Sequence, residues 1–89
     1  MKLKKDLVLR HIGREHVIVR PSLGTVDLTH VYTLNPVAAW LWEQTGDTAF
    51  TEEKWVEMLL EHYEVERTQA IDDVKKLIEN LMENELIEA

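Results

Sequence analysis

Eighty-nine residues, 45% of them hydrophobic, amount to one small domain, which buries only about 60–65% of its unfolded surface. The absence of cysteine excludes a disulfide framework, a thiolate metal site and a thiol nucleophile, and no apolar run reaches the length of a signal core or a membrane span. The net charge of −7 is held unevenly, +3 over residues 1–34 and −10 over residues 35–89, so the second half repels nucleic acid and suits a partner with basic side chains.

Taken in order, residues 7–12 and 16–20 are rich in β-branched and aliphatic side chains. Gly13-Arg14 between them suits a two-residue hairpin turn with glycine first. That turn predicts Leu9 opposite Ile18, Val8 opposite Val19 and His11 opposite His16, whereas a longer loop would shift the register by one residue and swap the partners. Pro21-Ser22-Leu23-Gly24 reads as a loop. Residues 26–34 then supply a third strand, best defined from His30 onward, with residues 26–29 either beginning that strand or lying beside it. The three strands form a short antiparallel sheet.

The pattern changes period at Tyr32-Thr33-Leu34-Asn35-Pro36. Asn35 is suited to cap a helix with its side-chain oxygen, and Pro36 to occupy the first helical position, where no amide bond is lost. In the helix that follows, Val37, Ala38, Leu41 and Trp42 form one apolar stripe and Trp40 lies beyond it. A helix apolar around most of its girth belongs at the centre of a core. It is expected to stop near Thr45, before Gly46. Thr51 then caps a second helix with Trp55, Val56, Leu59, Leu60 and Tyr63 on its core face.

After a tight connection at residues 64–67, a third helix carries Ala70, Ile71, Val74, Leu77, Ile78, Leu81 and Met82. This stripe spans about 140° at 100° per residue, with Leu77, flanked by Asp73 and Asn80, at one margin. Leu86-Ile87 is expected to return to the core as an extended tail. The architecture predicted is an α+β, winged-helix-like single domain over residues 1–89.

Few residues point to chemistry. His11 and His16 face each other across the predicted hairpin, but no third ligand is in view, and exposed sheet histidines are the commoner outcome. His30 and His62 are isolated. The adjacent acid pairs Glu52-Glu53 and Asp72-Asp73 diverge on their helices and read as solvated surface. No nucleophile–base order, phosphate loop or metal-binding helix motif occurs, so no catalytic residue, metal or cofactor is expected. The third strand ends in a sheet edge, whose unpaired amides and carbonyls are either simply solvated or available to an extended peptide. From the residues alone the solvated edge, with Leu77 in the core, is the commoner outcome.

Leu34-Asn35-Pro36 followed by an apolar helix ending in Leu41-Trp42-Glu43 resembles the coenzyme pyrroloquinoline quinone (PQQ) synthesis protein D family. So do His62-Tyr63-Glu64-Val65 and the run Asp73-Val74-Lys75-Lys76-Leu77-Ile78-Glu79-Asn80-Leu81. No one of these motifs is diagnostic; the ordered set, kept in spacing from Leu34 to Leu86, carries the resemblance. It implies a peptide chaperone, a recognition element for ribosomally made and modified peptides; the opening residues, which lead into no apolar signal core, set a cytoplasmic protein as the expectation. Such a module binds the leader of a precursor peptide and delivers it to a modifying enzyme, in the namesake pathway a radical S-adenosylmethionine protein.

The resemblance also implies that the leader adds as a strand on the edge of the third strand and packs against the third helix. That assigns His30, Val31, Tyr32, Thr33 and Leu34, with Asp73, Leu77 and Asn80, to peptide binding. Two departures stand out. Family members usually have Gly before the final Leu, where this chain has Glu85, which moves the end of the last turn to Asn84. The region of residues 21–29 is also longer than in the namesake proteins. The competing class is a winged-helix transcription regulator with Lys2, Lys4, Lys5, Arg10, Arg14 and Arg20 facing phosphates. Against it, the helix that would enter the groove carries Asp72, Asp73, Glu79 and Glu83 beside Lys75 and Lys76. A third reading is a structural subunit whose edge strand docks to a larger enzyme, or exchanges with a second copy in a homodimer.

Overall fold

A computed structural model of the protein describes residues 1–19, 21–22, 25–26 and 32–88. Chain order runs β1 (Lys2–Leu3), β2 (Val8–Ile12), β3 (Glu15–Val19), β4 (Pro21–Ser22), β5 (Thr25–Val26), β6 (Tyr32–Leu34), α1 (Pro36–Thr45), α2 (Glu52–His62), α3 (Arg67–Glu83) and β7 (Ile87–Glu88). The main sheet is antiparallel with order β2-β3-β6, so among the described residues β3 is central and β6 is an edge. Three strands followed by three helices is the α+β architecture expected.

Gly13 sits at φ +62°, the left-handed conformation that the first residue of this hairpin turn requires. The register is the one that a two-residue turn dictates, with Val8 on Val19, Leu9 on Ile18 and His11 on His16. On the other side of β3, His16 pairs with Leu34, Val17 with Thr33 and Ile18 with Tyr32. One expectation changes in the connecting region. Residues 21–24 were expected as a loop, yet Pro21 and Ser22 are extended and pair with Val26 and Thr25. A proline is compatible with the first position of a short strand, where no ladder donor need be missed. Of the two placements open to Val26, its pairing with Pro21 puts it outside the third strand, which is described from Tyr32 on. His30 and Val31 lie outside the described residues.

The switch from strand to helix is made as the sequence predicts. The Ala38 amide donates to the Asn35 side-chain oxygen at 2.7 Å, and Pro36 opens α1. Ala38, Ala39, Leu41, Trp42 and Thr45 are buried. Thr51 caps α2 by accepting from the Lys54 amide at 3.0 Å, and Trp55, Val56 and Leu59 face inward. Helix α3 buries Ala70, Val74, Ile78 and Leu81 but leaves Ile71 42% and Met82 47% exposed, so its core face is narrower than its apolar stripe. These helices close over one face of the sheet, where Ile18 and Leu34 join the common core.

The end of α3 differs from expectation. Asn84 remains at φ −93°, and Glu85 itself takes the left-handed conformation, φ +58°. The Glu85 amide donates to the Met82 carbonyl at 3.0 Å and the Leu86 amide to the Leu81 carbonyl at 2.9 Å. This bond pair is the usual glycine-ended helix stop, held here by burial of both Leu81 and Leu86. The chain then runs into β7, which pairs with β1 through Lys2–Glu88 and Leu3–Ile87. Leu3 is buried beside Leu86 and Ile87, and Met1 exchanges two main-chain hydrogen bonds with Phe50 at 2.7 and 3.0 Å. The opening residues are thus tied to the far end of the domain.

Candidate functional site

A groove of about 360 Å³ runs between β6 and α3, within the size range of small ligand pockets. Its floor is apolar: Leu34 from the strand, Val37, Ala38 and Leu41 from α1, Leu59 from α2, and Val74 and Leu77 from α3. Its rim is polar, formed by Tyr32, Thr33, Asn35, Asp73, Lys76 and Asn80. Each wall follows from local sequence. The Asn35 cap turns the chain sharply enough to set the first turn of α1 under the end of β6. The spacing of Asp73, Leu77 and Asn80 puts all three on one margin of α3.

Of the residues singled out in sequence, Tyr32, Thr33, Leu34, Asp73, Leu77 and Asn80 are brought together at this groove. Leu77 is half-buried at its margin, packed against the core while still lining the groove. Asn35, Val37, Ala38, Leu41, Leu59, Val74 and Lys76 were missed as lining residues. All but Lys76 were read as a cap or as core, and the short side chains Val37 and Ala38 were the one signal that α1 leaves space here.

The charges on the rim are not equivalent. Lys76 Nζ lies 3.0 Å from Asp72 Oδ2 one turn back, and the hydrogen bond and charge of Asp72 raise its pKa above the ordinary lysine value. Asp73 instead accepts from the neutral amide of Gln69 at 2.8 Å. Among the described residues no lysine or arginine forms an ion pair with Asp73, so the rim presents a carboxylate to incoming chain. The Asn80 carbonyl accepts from the Asn84 side-chain amide at 2.8 Å.

The other candidates fall elsewhere. His11 Nδ1 and His16 Nδ1 are 2.9 Å apart, one donating to the other, and His11 Nε2 bonds the Glu43 carboxylate at 2.9 Å. This chain ties the hairpin to the last turns of α1. Among the described residues no three histidine, aspartate or glutamate side chains are placed to hold a metal ion together. His62 stacks on Trp40 at 4.1 Å between ring centroids. No described helix is long and apolar enough to cross a membrane.

The family model for coenzyme PQQ synthesis protein D matches residues 15–87. Two solved structures share the fold. One, TbiB1 in complex with the TbiA(beta) leader peptide, is 25% identical with a TM-score of 0.71, the match covering 100% of this chain and 96% of that one. The other, lasso peptide synthetase B1 complexed with the leader peptide, is 25% identical with a TM-score of 0.65, covering 93% and 91%. Comparison with curated proteins finds no match.

Proposed function

Because the chain belongs to the coenzyme PQQ synthesis protein D family, we propose that it binds the leader of a ribosomally made precursor peptide and presents it to a modifying enzyme. The observation that carries this reading is an apolar groove running beside the terminal strand of the sheet. An extended peptide laid along β6 gains main-chain hydrogen bonds from the edge and side-chain burial from the groove. Both structural neighbours are complexes with leader peptides. The protein's part is binding and delivery, without a cofactor and in the cytoplasm, and the chemistry belongs to the enzyme. The family resemblance favours a radical S-adenosylmethionine enzyme as that partner, whereas the name of one neighbour favours lasso-peptide synthesis.

The test is amide NMR on the full chain with the leader of a precursor peptide encoded beside it. Shifts are expected to cluster on residues 30–34 and 70–84, with the 13–15 turn silent. Shifts centred on the turn and on Lys2, Lys4 and Lys5 would move the binding surface to the basic end. Pull-down with the neighbouring enzyme distinguishes the two enzyme classes. A mass that stays monomeric over a hundredfold range of concentration would argue against a strand-exchanged homodimer.

A further inference from the structure

From the register of the sheet we infer a recognition code, one that rests on the leader-binding reading. The site selects an extended segment in which an aliphatic or aromatic residue and a Lys or Arg are separated by one residue. In a two-residue hairpin the pair beside the turn exchanges both main-chain hydrogen bonds, and such pairs alternate along an antiparallel ladder. Ile12–Glu15 is that pair, and Arg10–Val17 is the next of its kind. The amides and carbonyls of Glu15 and Val17 therefore point at β2, and those of His16 and Ile18 point at β6. Their partners Leu34 and Tyr32 are thereby satisfied within the sheet. Thr33, between them, turns its amide and carbonyl to the free edge. It is the residue of β6 to which an added strand bonds.

The same alternation fixes where the peptide's side chains go. Thr33 is exposed on the face away from the helices, whereas Leu34 faces the helices and is buried. A peptide residue hydrogen-bonded to Thr33 projects its side chain away from the groove. Its two neighbours, opposite Tyr32 and Leu34, project theirs into it. Positions i and i+2 are about 6.6–6.8 Å apart along a strand, and Asp73 and Leu77 are about 6 Å apart along α3. One side chain meets the apolar floor and Leu77, the other the Asp73 carboxylate. Lys76 does not cancel that preference, because its ammonium is engaged by Asp72 at 3.0 Å.

The experiment selects phage-displayed random dodecapeptides on the full chain and, in parallel, on the Asp73→Lys variant, whose side chain is exposed and whose thermal melt checks its folding. Wild type is expected to enrich apolar-x-Lys/Arg or its reverse. The variant should keep the apolar anchor and replace the cation by Asp or Glu. Replacing the cation of a selected peptide by Ala should weaken binding roughly two- to fivefold at low salt, the range of an exposed ion pair, and less at high salt. Hydrogen exchange should show the Thr33 amide becoming protected on binding, with Tyr32 and Leu34 protected already. Peptides that enrich with an apolar anchor but no cation, or with a cation that persists on the variant, overturn the code and leave the leader-binding reading standing. Absence of any enriched peptide that shifts Thr33 and Leu77 overturns both.

Discussion

The Thr45 hydroxyl donates to the Leu41 carbonyl at 2.7 Å and accepts from the Trp55 indole at 2.9 Å, and both of its bonds are buried. One side chain thus satisfies the polar atom of Trp55, which is fully enclosed and stacked on Phe50 at 4.2 Å. Thr45→Val keeps the shape and strands the indole, and should cost about 1–3 kcal/mol in urea unfolding; a loss no larger than that of Thr45→Ser would refute the pairing. The tryptophans are ranked by the same logic. Trp42 is buried, whereas Trp40 is half-exposed against His62 and Tyr63. Trp42→Ala should cost about 3–5 kcal/mol, a large share of a small domain's stability. Trp40→Ala should cost clearly less; an equal loss would mean that the wrong face of α1 has been placed inward. Glu85 stands at φ +58°, which disfavours a side chain. Glu85→Gly should therefore stabilise by about 0.5–1 kcal/mol, and unchanged thermal melts would count against that conformation.

Helix α3 has two margins with different fates. On one, Ile71 and Met82 stay largely exposed; on the other, Leu77 is half-buried and lines the groove with Asp73 and Asn80. Periodicity alone gave both margins the same apolar character, because a helical wheel records angle and not which neighbour stands beside each angle. The β6 strand distinguishes them. Leu77→Asp should weaken a leader peptide at least tenfold, about 1.4 kcal/mol, by placing charge where an apolar anchor docks. Its effect on stability should be smaller than that of Val74→Asp, which is fully buried. Titration of both variants separates the two roles, and a fully retained affinity in Leu77→Asp would remove this margin from the site.

Across the whole molecule, charge and topology point the same way. The basic residues gather in the strand-forming part of the chain and the acids in the helical part, so the helix that a winged-helix regulator would insert into DNA faces solvent with Asp72, Asp73, Glu79 and Glu83. Fluorescence anisotropy with duplex DNA should show no binding at physiological salt, and binding that steepens as salt falls would reopen the regulator reading. Closure of the domain comes from β1 on β7 and from Met1 on Phe50. These contacts join residues more than 45 positions apart, and short segments such as Lys2–Leu3 carry no periodicity that announces them.

What the chain's own order determined was local. The turn at Gly13 set the register of the hairpin, the caps at Asn35 and Thr51 set where helices begin, and alternation against 3.6-residue periodicity set the fold class. Each depends on backbone geometry and hydrogen bonds within a few residues, so each is legible in sequence. The groove was legible only in outline: the resemblance singled out Tyr32, Thr33, Leu34, Asp73, Leu77 and Asn80, and their convergence needed the packed molecule. Tertiary structure decided that Val37, Ala38 and Leu59 floor a groove while also packing in or against the core, that Lys76 is engaged by Asp72, and that Glu85 bears the helix stop. Those outcomes turn on which elements meet and how much space they leave, and an apolar residue has the same sequence signature whether its neighbour is a helix or an open groove.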